Sequence, residues 1–89
     1  MQSRLDVVKD PNSSQNAAEG QYANYFEIGH NGLEFVMDFG QFFADAGEPE
    51  FHTRIITGPV YAKRLHLLLR ESIERYERAF GPIPNWPER

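Results

Sequence analysis

The dipeptide Asn31-Gly32, set between two runs that alternate apolar and polar residues, constrains this chain more than any other feature. Before it, Tyr22, Asn24, Phe26, Ile28 and His30 alternate with Ala23, Tyr25, Glu27 and Gly29; after it, Leu33 to Phe39 alternates again. An Asn-Gly pair between such runs is a hairpin signal, because a type I′ turn needs positive φ at both central residues. A two-residue turn predicts that His30 opposes Leu33, Ile28 opposes Phe35, Phe26 opposes Met37 and Asn24 opposes Phe39. One face is then strongly apolar. The other carries Glu27 with Val36, Tyr25 with Asp38, and Gly29 with Glu34.

Gly40 to Glu50 loses the alternation and gathers turn formers, so it reads as a connection. Phe51 to Thr57 supplies a third strand, with Phe51, Thr53 and Ile55 on one side and His52, Arg54 and Ile56 on the other; chain order makes it antiparallel to the second strand, a meander. In Thr57-Gly58-Pro59 either of the first two residues can cap a helix whose first position suits proline, and Gly81 followed by Pro82 and Pro84 ends that helix near Phe80. Tyr61, Ala62, Leu65, Leu68, Leu69, Ile73, Tyr76, Ala79 and Phe80 share one helical stripe. The expected fold is therefore α+β: a three-stranded antiparallel meander followed by one long C-terminal amphipathic helix packed on one sheet face. Residues 21–81 form that single domain, 1–20 a flexible N-terminal arm and 82–89 an extended Pro-rich tail in which Trp86 either packs back on the domain, the favoured reading, or offers an anchor to a partner.

Eighty-nine residues bury a modest core, and with no cysteine there is no disulfide or thiolate metal site to reinforce it, which leaves oligomerisation. The cysteine count, the lack of an apolar run long enough to span a bilayer and the absence of a signal-like N-terminus lead us to expect a cytoplasmic protein. The net charge of −4 hides an asymmetry: residues 1–50 carry nine acids against two bases, residues 51–89 seven bases against four acids. The acidic balance is not that of a dedicated nucleic-acid binder.

No cofactor or metal site is expected, nor catalytic residues: the glycines do not form a phosphate loop, and His30 and His52 fall on opposite sheet faces. Glu27, Asp38 and Arg54 share the less apolar face as an ion-pair cluster. Ala23, Tyr25, Val36 and Ile56 on that face, with Val60 and Leu67 one heptad apart on the helix's charged side, make a candidate interface. The alternative uses Arg54, Lys63, Arg64 and Arg70, with His66, as nucleic-acid contacts.

The ordered succession Tyr22-Ala23-Asn24, Ile28-Gly29-His30-Asn31, Glu34-Phe35-Val36-Met37-Asp38-Phe39-Gly40, His52-Thr53-Arg54-Ile55 and Pro59-Val60-Tyr61-Ala62-Lys63-Arg64-Leu65 resembles a family of short, uncharacterised bacterial proteins, a domain of unknown function. The resemblance runs from Gly20 to Pro84. It implies a bacterial, soluble, stand-alone protein and transfers no activity. The functional expectation is a non-enzymatic protein-interaction or assembly module acting as a homo-oligomer, a dimer first, without nucleic acid or membrane as its main partner.

Overall fold

The computed structural model describes residues 5–9, 18–45 and 47–86. Its elements are β1 (Tyr25–His30), β2 (Phe35–Gln41), β3 (Glu50–Thr57) and α1 (Pro59–Phe80), with the sheet in the antiparallel order β1-β2-β3. The expected meander and C-terminal helix are both present. Two compact units divide the chain, one formed by Gln15–Lys63 and the other by Met1–Ser14 together with Arg64–Arg89.

In the sheet unit the hairpin register departs from expectation by two residues. His30 pairs with Phe35, Ile28 with Met37 and Phe26 with Phe39, leaving a four-residue loop, 31–34. The cause is the asparagine side chain: Asn31 Oδ1 accepts from the backbone N–H groups of Leu33 (2.8 Å) and Glu34 (2.9 Å), while its own N–H donates to the Glu34 carbonyl (3.0 Å). An Asx-type turn of this kind competes with the type I′ turn, and Gly32 does not use a positive φ. Because side chains alternate with period two, a shift of two residues leaves every side chain on its expected face.

A second departure does change a face. Between β2 and β3 the pairing runs Asp38 with Arg54 and Phe39 with Thr53, then jumps to Gly40 with Phe51, so His52 is the extra residue of a bulge. Phe51, expected beside Thr53 and Ile55, instead joins the Tyr25 side, where the two rings meet edge-on at 5.6 Å. Gly40 admits this close passage of backbone. β2 ends where Asn24 clamps the next residues: its side-chain amide donates to the Phe42 carbonyl (3.3 Å) and accepts from the Phe42 N–H (2.7 Å), imitating one more pair of the ladder.

The inner face holds Phe26, Ile28, Phe35, Met37, Phe39 and Ile55. Met37 at its centre is the one buried hydrophobic side chain among the described residues, while Phe26, Ile28 and Ile55 are 55%, 67% and 45% exposed. This sheet carries more apolar surface than it covers.

α1 starts and stops as its sequence directs. Ala62 N–H bonds the Gly58 carbonyl, making Gly58 the cap ahead of Pro59, and Gly81 at φ 96° donates to the Glu77 carbonyl. Glu77 also accepts from Ile83 N–H, fixing the first step of the tail. The stripe was expected to be buried, yet Leu65, Leu69, Ile73, Tyr76 and Phe80 are 40–76% exposed. Trp86 was expected to pack back and is 81% exposed; residues 87–89 of the tail lie outside the described residues.

The helical unit also includes part of the segment expected as a flexible arm. Asp6 accepts from Arg75 (3.0 Å), which at the same time donates to Glu71 (2.8 Å), and Leu5, Val8, Ser72, Tyr76 and Phe80 border a groove of about 650 Å³. Residues 10–17 of that arm lie outside the described residues.

Candidate functional site

The outer sheet face carries a polar row across all three strands, flanked by apolar and aromatic side chains. Tyr25 and Glu27 come from β1, Asp38 from β2 and Arg54 from β3, the last two directly opposite each other. Arg54 grips Asp38 with two parallel bonds, Nε to Oδ1 at 2.7 Å and Nη2 to Oδ2 at 2.9 Å. Such fork-to-fork geometry is the most directional form of a charged hydrogen bond. Asp38 is the more enclosed partner, its side chain 18% exposed against 65% for Arg54. Glu27 lies opposite Asp38 but turns to Tyr25, accepting its hydroxyl proton at 2.9 Å.

The charges follow from this pairing. The hydrogen bonds from Arg54 hold the Asp38 carboxyl below its ordinary 3.8, the guanidinium charge adding to them and partial burial opposing. The same contact raises Arg54. Tyr25 is raised above 10.0, first by its bond to Glu27, then by that carboxylate's charge and by burial. At neutral pH the phenol is protonated and donating, Asp38 is ionised and its acceptors are engaged. Each of these groups is used on a neighbour, which suits them to fixing geometry better than to exchanging protons with a substrate.

Asp38 has a depressed folded-state value, so the stability it contributes is present above the unfolded value and is lost as pH falls through the folded one. Urea midpoints should therefore decline from about pH 5 to about pH 2, and Asp38→Asn should flatten part of that decline. An unchanged acid limb in the variant would show that this pair is not coupled to folding.

A shallow groove of about 420 Å³ runs beside the row, bordered by Glu27, Gly29, Asn31, Glu34, Val36 and Arg54. Val36 and Ile56 are paired across β2 and β3 at its edge, and Ile56 is 57% exposed. Tyr25, Val36 and Ile56 thus share the face as expected. Ala23 precedes β1 and borders a hollow with Phe39, His52 and Thr53. Val60 and Leu67 are exposed on α1.

The two strand histidines are engaged locally. His30 stacks on Phe35 at 5.4 Å, and His52 contacts the Tyr22 carbonyl (2.9 Å) and Thr53 Oγ1 (2.7 Å). Among the described residues no three His, Cys, Asp or Glu side chains are grouped to hold a metal ion. No described helix is long and apolar enough to cross a membrane. Of the basic residues considered for nucleic acid, Arg54 is committed to Asp38, and Arg70 pairs with Glu74 at 3.4 Å. Lys63 and Arg64 follow one another in the first half of α1. The bulge that brings Phe51 to Tyr25, the Asn24 clamp and the Asp6–Arg75 pair were not expected; only Gly40, an isolated glycine in an alternating run, signalled the first.

An antiparallel meander with a following helix, and a paired polar row on one sheet face, define the class: a small α+β chain. The chain belongs to the family described as Protein of unknown function (DUF3467), whose model matches residues 4–85. The match reaches further towards the N-terminus than the motifs beginning at Gly20, and so takes in Asp6 and its neighbours. No curated protein and no solved structure matches the chain.

Proposed function

We propose that this protein is a non-enzymatic assembly module that works as a homo-oligomer, a dimer first, through the outer sheet face. The observation that carries the reading is the apolar surface that the sheet leaves open on that face: Ile56, paired with Val36, is 57% exposed, and Phe51, against Tyr25, is 47% exposed. Small chains without disulfides or metals commonly complete their cores by association. The Asp38–Arg54 fork fits this role, because a directional polar pair within an apolar surface selects one docking register. Two edge strands flanking a single sheet also offer unpaired backbone for a partner.

The test is the double variant Tyr25→Glu with Ile56→Glu, compared with the wild-type chain by sedimentation across micromolar concentrations. The reading expects an oligomeric mass for the wild type and a shift towards the 10.3 kDa monomer in the variant. A wild type that is monomeric throughout, or a variant that changes neither mass nor stability, contradicts it. A nucleic-acid role finds less support, since Arg54 and Arg70 already hold acidic partners.

A further inference from the structure

We infer that two copies stack outer face on outer face about a two-fold axis running along the strands above β2, so that Glu27 of each copy faces Arg54 of the other. This rests on the homo-oligomer reading above and adds the orientation that the face dictates. The register sets the outer face out in rows that cross the three strands of the sheet unit. The middle row is Glu27, Asp38 and Arg54, with an acid on one edge strand and a base on the other. One flanking row runs from Gly29 to Ile56, the other from Tyr25 to Phe51.

Both ends of the middle row keep bonding capacity. Arg54 holds Asp38 through Nε and Nη2, and its Nη1 has no bond to another described residue. Glu27 accepts the Tyr25 hydroxyl at Oε2, and among the described residues its Oε1 accepts nothing. The two groups are exposed, the Arg54 side chain by 65%, and about 10 Å of sheet with Asp38 in the middle separates their backbones within one chain.

These charges choose the orientation. Sheets packed face to face with aligned strands can be related by a two-fold axis in two ways. With the axis across the strands, β1 lies on β1 and β3 on β3, so Glu27 meets Glu27 and Arg54 meets Arg54. With the axis along the strands, β1 lies on the partner's β3, and a carboxylate meets a guanidinium twice over. Like charges in apposition disfavour the first arrangement. The second also sets Ile56 above the partner's Gly29, where a Cβ would meet nothing within 4 Å, and Tyr25 above the partner's Phe51. A large side chain thus faces open space, and one aromatic ring faces another. Asp38 falls on the axis, where its own Arg54 already holds its charge and its side chain is only 18% exposed.

The experiment follows dissociation of the full chain by sedimentation for the wild type, Glu27→Gln and Glu27→Arg. Glutamine keeps an oxygen for the Tyr25 hydroxyl and removes only the charge. Glu27→Gln should raise the dissociation constant about threefold, and Glu27→Arg about tenfold or more. Both effects run against the overall charge, since each substitution makes the net −4 less negative. Unchanged or tighter association of either variant overturns the orientation, because the across-strand dimer would lose a repulsion with glutamine and merely exchange one for another with arginine. The chain has no cysteine of its own, which allows a second readout. Gly29→Cys and Ile56→Cys chains are mixed, and a short thiol-to-thiol reagent should join one to the other and neither to itself. Self-joined products, or no product from a mixture whose mass stays oligomeric, overturn the inference while leaving the oligomer standing. A monomeric wild type removes both. Should Ile56→Cys dissociate the oligomer, the Glu27 series decides alone.

Discussion

Gly40→Ala is expected to lower the midpoint of thermal unfolding by roughly 10–20 °C, the counterpart of about 2–3 kcal/mol in a domain of this size. Gly40 is buried at the bulge between β2 and β3. A Cβ there would collide with the Glu50 carbonyl oxygen and come within 2.9 Å of the Glu50 carbonyl carbon and 3.0 Å of Phe51 Cα. All three are backbone atoms, so no rotamer change relieves the contact and the strands must separate. That movement would also withdraw Phe51 from Tyr25 and disturb the outer face. Gly29→Ala is the control, since a Cβ there meets nothing within 4 Å and its effect should stay within about 0.5 kcal/mol. Both variants should be melted at one protein concentration, because association shifts the midpoint by mass action. A Gly40→Ala protein that melts with the wild type would mean that the bulge is dispensable.

The second large effect concerns association. Tyr25→Glu with Ile56→Glu puts two carboxylates on the outer sheet face, where Ile56 is 57% exposed within one chain. Were these residues simply solvent-facing, the pair would change stability by only a few tenths of a kcal/mol each. If a second copy buries them, each loses about 1.5–3 kcal/mol of apolar transfer and gains a desolvated charge. The oligomer should then dissociate at least about 100-fold more readily. Far-UV circular dichroism should retain the helical signal, since neither residue lies in α1. Loss of that signal together with mass would instead locate the effect in folding of the chain.

The strongest local rules made much of this architecture legible. Pro59 and Gly81 marked the two ends of α1 because each acts on its own backbone, and period-two alternation assigned the strand faces correctly at Phe26, Ile28, Met37, Glu27, Asp38 and Arg54. The Asp38–Arg54 pair was readable for the same reason. Failures came where a side chain competed with a backbone rule. Asn31 used its carboxamide to cap Leu33 and Glu34, which lengthened the turn and moved the hairpin register by two. The bulge moved Phe51 to the other face, which alternation alone has no means to anticipate, although Gly40 marked the place. Asp6 meets Arg75 across 69 positions of sequence, a contact that no local pattern encodes.

The measurement that bears most directly on this account is the solution mass of the full chain against concentration, by sedimentation equilibrium or light scattering from nanomolar to high micromolar. The account predicts a mass of twice 10.3 kDa or a higher multiple, falling towards the single-chain value only on dilution. A mass that stays at 10.3 kDa across the whole range would contradict it.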